Sequence, residues 1–193
     1  MDPVCEPADF LPDSRNESFF EELQALCQRL GCSFTQRLLP DQNWNALWES
    51  NFNPVKVGDQ CVIRAPFHPE FEGIKYQIVI EPKMSFGTGH HETTRLMIEQ
   101  ILKQPWTGKS VLDMGCGTGV LAILTSMLGA ESVVAIDNDR WAWENTLENC
   151  SRNHQDHIEV RLGSVEQIPE RQFDCILANI NRNILLEQMP VYS

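Results

Sequence analysis

Apolar positions first fall into register between residues 17 and 30, where Phe19, Leu23, Leu26, Cys27 and Leu30 form one stripe at three- and four-residue intervals. That period predicts an amphipathic helix, and Gly31 is a natural C-terminal stop. Residues 32–39 read as a short strand. Asp41 is placed to cap a short helix in which Trp44 and Trp48 share a face, and Asn53-Pro54 ends it. The pattern then shortens into two strand-like runs, 60–64 and 75–80, separated by a loop rich in Pro, His and Gly and closed by Pro82.

From residue 84 the texture changes. A loop, Met84 to Glu92, leads into a helix expected to begin near Thr93 or Thr94 and to be closed by Pro105. Strands are predicted over 110–114, 132–136, 158–162 and 175–178. Helices are predicted over 120–128, stopped by Gly129, and over 140–152, capped by Asn138 or Asp139. A further helix covers 184–189. Strand–helix alternation with short connections predicts an α/β domain built on a doubly wound, mostly parallel sheet. The alternation stops at Ser193 before the strands that complete such a sheet. An open sheet ending there leaves an unpaired edge and exposed apolar surface, so the sequence is expected to be a piece truncated at the C-terminus. The expected organisation is a partial α+β N-terminal piece over 1–40, a linker helix over 41–54 and the α/β domain over 55–193.

Composition changes this picture little. Hydrophobic residues make up 42% and charged residues 22%, the balance of an ordinary globular chain. No apolar run approaches the roughly 20 residues that span a bilayer, and Met1-Asp2-Pro3-Val4-Cys5-Glu6 lacks the basic start and apolar stretch of a secretory signal. The expected location is the cytoplasm, with no membrane partner. The seven cysteines, Cys5, Cys27, Cys32, Cys61, Cys116, Cys150 and Cys175, show neither a disulfide framework nor a Cys-x-x-Cys zinc pair. They read as reduced, largely buried thiols. The net charge of −12 repels nucleic acid and favours a cationic partner, although a plain solubility surface would carry the same sign.

The chemistry is concentrated at predicted strand ends. Val111-Leu112-Asp113-Met114-Gly115-Cys116-Gly117-Thr118-Gly119-Val120 is a buried strand running through a glycine turn into a helix. Glycines there let a ligand approach the backbone, because no Cβ intervenes. In open parallel sheets ligands bind at the carboxyl ends of strands. A dinucleotide turn has the spacing G-x-G-x-x-G, to seat a pyrophosphate on the helix N-terminus. Here the glycines are Gly115, Gly117 and Gly119, which is G-x-G-x-G. This spacing resembles the first motif of class I methyltransferases, whose ligand has no pyrophosphate. Val133-Val134-Ala135-Ile136-Asp137 puts a carboxylate at the next strand tip, suited to two ribose hydroxyls; a helix cap or turn is the plainer reading. Asn179, after Cys175-Ile176-Leu177-Ala178, brings an amide to the same edge, and a turn or cap role is equally open. Phe86, Gly87, Thr88 and Gly89 form a loop able to wrap a ligand, with Phe86 suited to a sulfonium face. His90-His91 invites a metal or acid–base reading, but partner ligands at suitable spacing are lacking, so loop packing is preferred and no metal is expected.

Taken together, Phe86-Gly87-Thr88-Gly89-His90-His91-Glu92-Thr93-Thr94, Leu112-Asp113-Met114-Gly115-Cys116-Gly117-Thr118-Gly119, Ile136-Asp137 and Ala178-Asn179-Ile180 resemble the PrmA-type ribosomal-protein methyltransferases. Trp44 to Pro54 is similar to that family's linker, and the likeness covers roughly residues 41 to 190. The resemblance implies a class I, Rossmann-like fold binding S-adenosyl-L-methionine. It implies cofactor contacts at Thr94, Gly115, Gly117, Asp137 and Asn179, with Phe86 and the glycine–threonine loop closing the site. It also implies methylation of lysine side-chain and N-terminal amines on a basic substrate, the large-subunit ribosomal protein L-eleven, by a domain whose N-terminal part recognises that substrate. Two positions depart from the pattern. His90-His91-Glu92 stands where the family's loop has Thr-His-Pro, and Ser164 stands where many methyltransferases carry an acid for the adenine amine.

Methyl transfer from a sulfonium is an in-line displacement that depends mainly on positioning, so no nucleophile or acid–base residue is required. The attacking amine must be neutral, and desolvation lowers a lysine pKa from about 10.4. Asn179 is the candidate for orienting that amine. Asn179-Ile180-Asn181-Arg182 differs from the Asn/Asp-Pro-Pro-Tyr/Phe motif of enzymes that methylate nucleic-acid bases or glutamine, and the glycine spacing disfavours a nicotinamide dehydrogenase. A small-molecule or other protein substrate, and a non-catalytic cofactor-binding fragment, remain as alternatives.

Overall fold

In the computed structural model, residues 17–33, 53–81 and 91–192 are described. The chain divides into two compact units, Met1–Trp48 and Glu49–Ser193. In the first, helix α1 (Glu17–Leu30) carries Leu26 and Leu30 on its exposed surface. The expected strand 32–39 and the helix after Asp41 fall largely or wholly outside the described residues.

The second unit contains two sheets. The smaller has the order β1-β2-β3, from β1 (Val55–Val57), β2 (Cys61–Arg64) and β3 (Tyr76–Val79). β1 runs antiparallel to β2, and β2 parallel to β3. The larger has the order β6-β5-β4-β7, from β4 (Ser110–Met114), β5 (Ser132–Asp137), β6 (Glu159–Leu162) and β7 (Cys175–Leu177), all parallel.

β4 and β5 lie in the middle of this sheet, which explains their nearly continuous apolar runs: both faces are covered. Side chains alternate between two cores. Val111, Val133 and Ala135 enter the larger core with α2 (Glu92–Ile101), α3 (Val120–Met127) and the small sheet. Leu112, Met114, Val134 and Ile136 enter the opposite core with Val165, Ile168, Phe173 and Tyr192. Burial along α3 runs unbroken from Val120 to Ser126, and six of its eight residues are apolar. Helix α4 (Arg140–Arg152), a 3-10 turn (Val165–Gln167) and α5 (Arg182–Tyr192) are the other elements among the described residues of this unit.

Helix α2 starts earlier than its threonines suggest. His91 is the N-cap, and its ring accepts the N–H of Thr93 at 3.3 Å. The helix also ends before Pro105, where the Trp106 indole N–H donates to the Ile101 carbonyl at 2.7 Å. α5 runs beyond its predicted span and holds Pro190 in its last turn.

Candidate cofactor site at the strand tips

Leaving β4, the chain turns through Gly115, Gly117 and Gly119 at φ values of +67°, +59° and +77°. Side chains rarely adopt this left-handed region. At Gly115 there is a second reason, since an added Cβ would run into Ile180 Cγ2. The turn ends at Gly119, which is the N-cap of α3 and has no side chain to offer. An uncapped helix start leaves N–H groups without partners. Asp113 fills the gap from the strand below, its Oδ2 accepting the Ala122 N–H at 3.1 Å. The Asp113 side chain is buried, and this desolvation pushes its carboxyl up to about 7. The Ala122 N–H opposes the rise and the charge of Asp137 adds to it.

At the tip of β5, Asp137 is 9% exposed. Its Oδ2 accepts the Gly117 N–H at 2.8 Å and its Oδ1 the Asp139 N–H at 2.9 Å. Capping of α4 falls to Asp139, which accepts the Trp141 N–H at 2.9 Å. A carboxylate has about four acceptor positions, so Asp137 retains acceptor capacity beyond these two bonds. At the tip of β7, the Asn179 amide donates to the buried Thr94 hydroxyl at 3.2 Å. Three contacts therefore link the predicted residues in sequence: Thr94 with Asn179, Ile180 with Gly115, and Gly117 with Asp137.

Phe86, Gly87, Thr88, Gly89 and His90 lie outside the described residues. His91 serves as a helix cap, and no cluster able to hold a metal occurs among the described residues. Beyond β6, the Ser164 hydroxyl accepts from Gln188 at 3.1 Å, while its N–H donates to Glu166 at 2.8 Å. That bond holds the Glu166 carboxyl below its usual range.

Comparison with known proteins supplies a family. The family described as ribosomal protein L11 methyltransferase (PrmA) matches residues 8–192. A ribosomal protein L11 methyltransferase of Porphyromonas gingivalis is 50% identical over 161 residues, covering 82% of this chain and 56% of the relative. One from Chlorobaculum parvum is 39% identical over 193 residues, covering 94% of this chain and 66% of the relative. A crystal structure of ribosomal protein L11 methylase from Lactobacillus delbrueckii subsp. bulgaricus is similar at a TM-score of 0.65 and 29% identity, covering 73% of each chain. The chain spans a little over half the length of the Porphyromonas relative.

Proposed function

Since the chain belongs to the ribosomal protein L11 methyltransferase (PrmA) family, we propose that it is the S-adenosyl-L-methionine-binding core of a protein N-methyltransferase acting on ribosomal protein L11. The observation that carries this reading is the chain of contacts joining three strand tips, Thr94–Asn179, Ile180–Gly115 and Gly117–Asp137.

The residues fit an adenosyl sulfonium. Asp137 keeps acceptor capacity for a vicinal diol after binding Gly117 and Asp139. Gly115 and Gly117 present bare backbone. Two of the N–H groups around the α3 N-terminus are already committed to acidic side chains, Gly117 to Asp137 and Ala122 to Asp113. A pyrophosphate needs such donors, and the Asp137 carboxylate would repel it. Bound here, the cofactor supplies an electrophilic methyl group.

The chain's own task is then to orient an incoming amine. Asn179 uses an amide N–H on Thr94, and its carbonyl oxygen is the acceptor for a substrate amine N–H. That bond would direct the nitrogen lone pair without requiring a general base. Lysine and N-terminal amines of a basic ribosomal protein suit a chain of net charge −12. In this reading residues 1–40 belong to a substrate-recognition domain, 41–54 are its linker, and the enzyme works in the cytoplasm. Among the described residues no helix is long and apolar enough to cross a membrane.

Calorimetry with S-adenosylmethionine and, separately, NAD is the direct test. Saturable binding of the first and no heat with the second is expected. Preference for NAD would overturn the assignment. For the amine role, Asn179→Ala in the full-length enzyme is expected to lower methyl transfer to ribosomal protein L11 about tenfold, a larger factor than its loss of cofactor affinity. Equal turnover of variant and wild type would remove Asn179 from that role.

A further inference from the structure

Three asparagines on α4 and its C-cap, Asn145, Asn149 and Asn153, recur at four-residue spacing, and all three are buried. Polar residues so placed need partners. They find them first on the free edge of β3. Asn153 accepts the Val79 N–H at 2.8 Å and donates to the Val79 carbonyl at 2.7 Å. Asn149 accepts the Glu81 N–H at 2.9 Å, and Asn145 donates to the Glu81 carbonyl at 3.4 Å. The side chains thus stand in for a neighbouring strand.

Asn149 does something its neighbour Asn153 does not. Its amide donates to the Thr118 carbonyl at 2.9 Å, inside the glycine turn. One residue over, Thr146 donates its hydroxyl to the Gly117 carbonyl at 2.8 Å. A Cβ added at Gly119 would lie 2.8 Å from Thr146 Cγ2, so the helix sits directly against the turn. Gly117 is then held on both sides, its N–H on Asp137 and its carbonyl on Thr146.

We propose that Thr146 and Asn149 are positioning residues that clamp the Gly117 and Thr118 carbonyls and so preset the glycine turn for its cofactor. The proposal rests on the reading of that turn as the S-adenosylmethionine site. A turn with three glycines is free to sample many backbone conformations, and binding must then supply the ordering. Fixing the carbonyls from behind removes peptide flips and leaves the inner face of the turn in its bound arrangement before ligand arrives. The same asparagine side chain holds Glu81, so the small sheet and the turn are registered through one amide.

The test compares three variants and one conservative control, Thr146→Ser. Thr146→Val keeps nearly the same shape but loses the donor. Asn149→Ala removes the second clamp. Asn153→Ala cuts the ladder without touching the turn. Thr146→Val and Asn149→Ala are expected to weaken S-adenosylmethionine binding about five- to tenfold, the loss of one buried hydrogen bond to the binding-competent state. Thr146→Ser should restore near-wild-type affinity. Asn153→Ala should lower the melting temperature yet keep Kd within about twofold of wild type, because it spares the turn. Amide exchange in the protein without cofactor gives an independent reading: the Gly117 N–H should exchange about five- to tenfold faster in the two clamp variants than in Asn153→Ala. Equal affinity losses in all three variants, or equal exchange at Gly117, would show that the ladder only glues the sheets and overturn the clamp. Failure of the unaltered chain to bind S-adenosylmethionine would remove the cofactor reading, and the exchange comparison would still decide the clamp.

Discussion

Asp137→Ala is expected to weaken S-adenosylmethionine binding by about a hundredfold or more. A hydrogen bond to a charged group contributes about 1.5–3 kcal/mol, and the two ribose hydroxyls that the proposed function gives this carboxylate would place the loss near or above the 2.8 kcal/mol that a hundredfold represents. The carboxylate also shapes the turn before any ligand arrives. Its removal takes the acceptor from the Gly117 N–H and from the Asp139 N–H. The affected groups thus lie on both the turn and the start of α4. Asp137→Asn separates the two contributions: one amide oxygen can still accept from backbone, but the charge and one acceptor oxygen are gone. It should therefore fold more stably than the alanine variant while binding cofactor far more weakly than wild type. Calorimetry with thermal melts measures both quantities. An alanine variant with cofactor affinity within about threefold of wild type would rule Asp137 out as the ribose acceptor.

That carboxylate was visible in the sequence because two physical constraints coincide on it. Val133 to Ile136 is apolar throughout because β5 is buried on both faces, so the first acid after the run marks the strand tip. Gly115, Gly117 and Gly119 were equally legible, since left-handed turns demand them. The pairing of Thr94 with Asn179 joins positions 85 residues apart and follows from sheet order rather than local pattern. β1 was too short to show a period. The start of α2 was misplaced because histidine gives little cap signal beside two threonines. The asparagines at 145, 149 and 153 carried a legible helical spacing, but polar residues at that spacing ordinarily mark a solvated face. Their burial depends on the edge of β3 needing hydrogen-bond partners, which only tertiary structure reveals.

Asp113 shows the same division between a visible residue and a role set by its surroundings, and it contributes to the pH dependence of stability. Its carboxyl titrates at about 7 in the fold, raised chiefly by burial, against an ordinary value of 3.8. Below the lower value both folded and unfolded chains hold the proton, and stability is unaffected. Between the two values the unfolded chain has released the proton while the folded chain keeps it. Unfolding is then favoured increasingly as pH rises, at up to about 1.4 kcal/mol per pH unit. Above pH 7 both forms are ionised, and the full loss, on the order of 4 kcal/mol, has been incurred. Asp113→Asn keeps an oxygen for the Ala122 N–H but cannot ionise. Its unfolding free energy relative to wild type should therefore climb by about 1 kcal/mol per unit between pH 5 and pH 7 and level off near pH 8. Urea melts of both proteins without cofactor, run across that range, measure the difference directly and cancel titrations common to the two. A difference independent of pH would mean that Asp113 is ionised in the fold throughout, leaving the α3 cap to a buried charge rather than to a carboxyl that holds its proton up to neutrality.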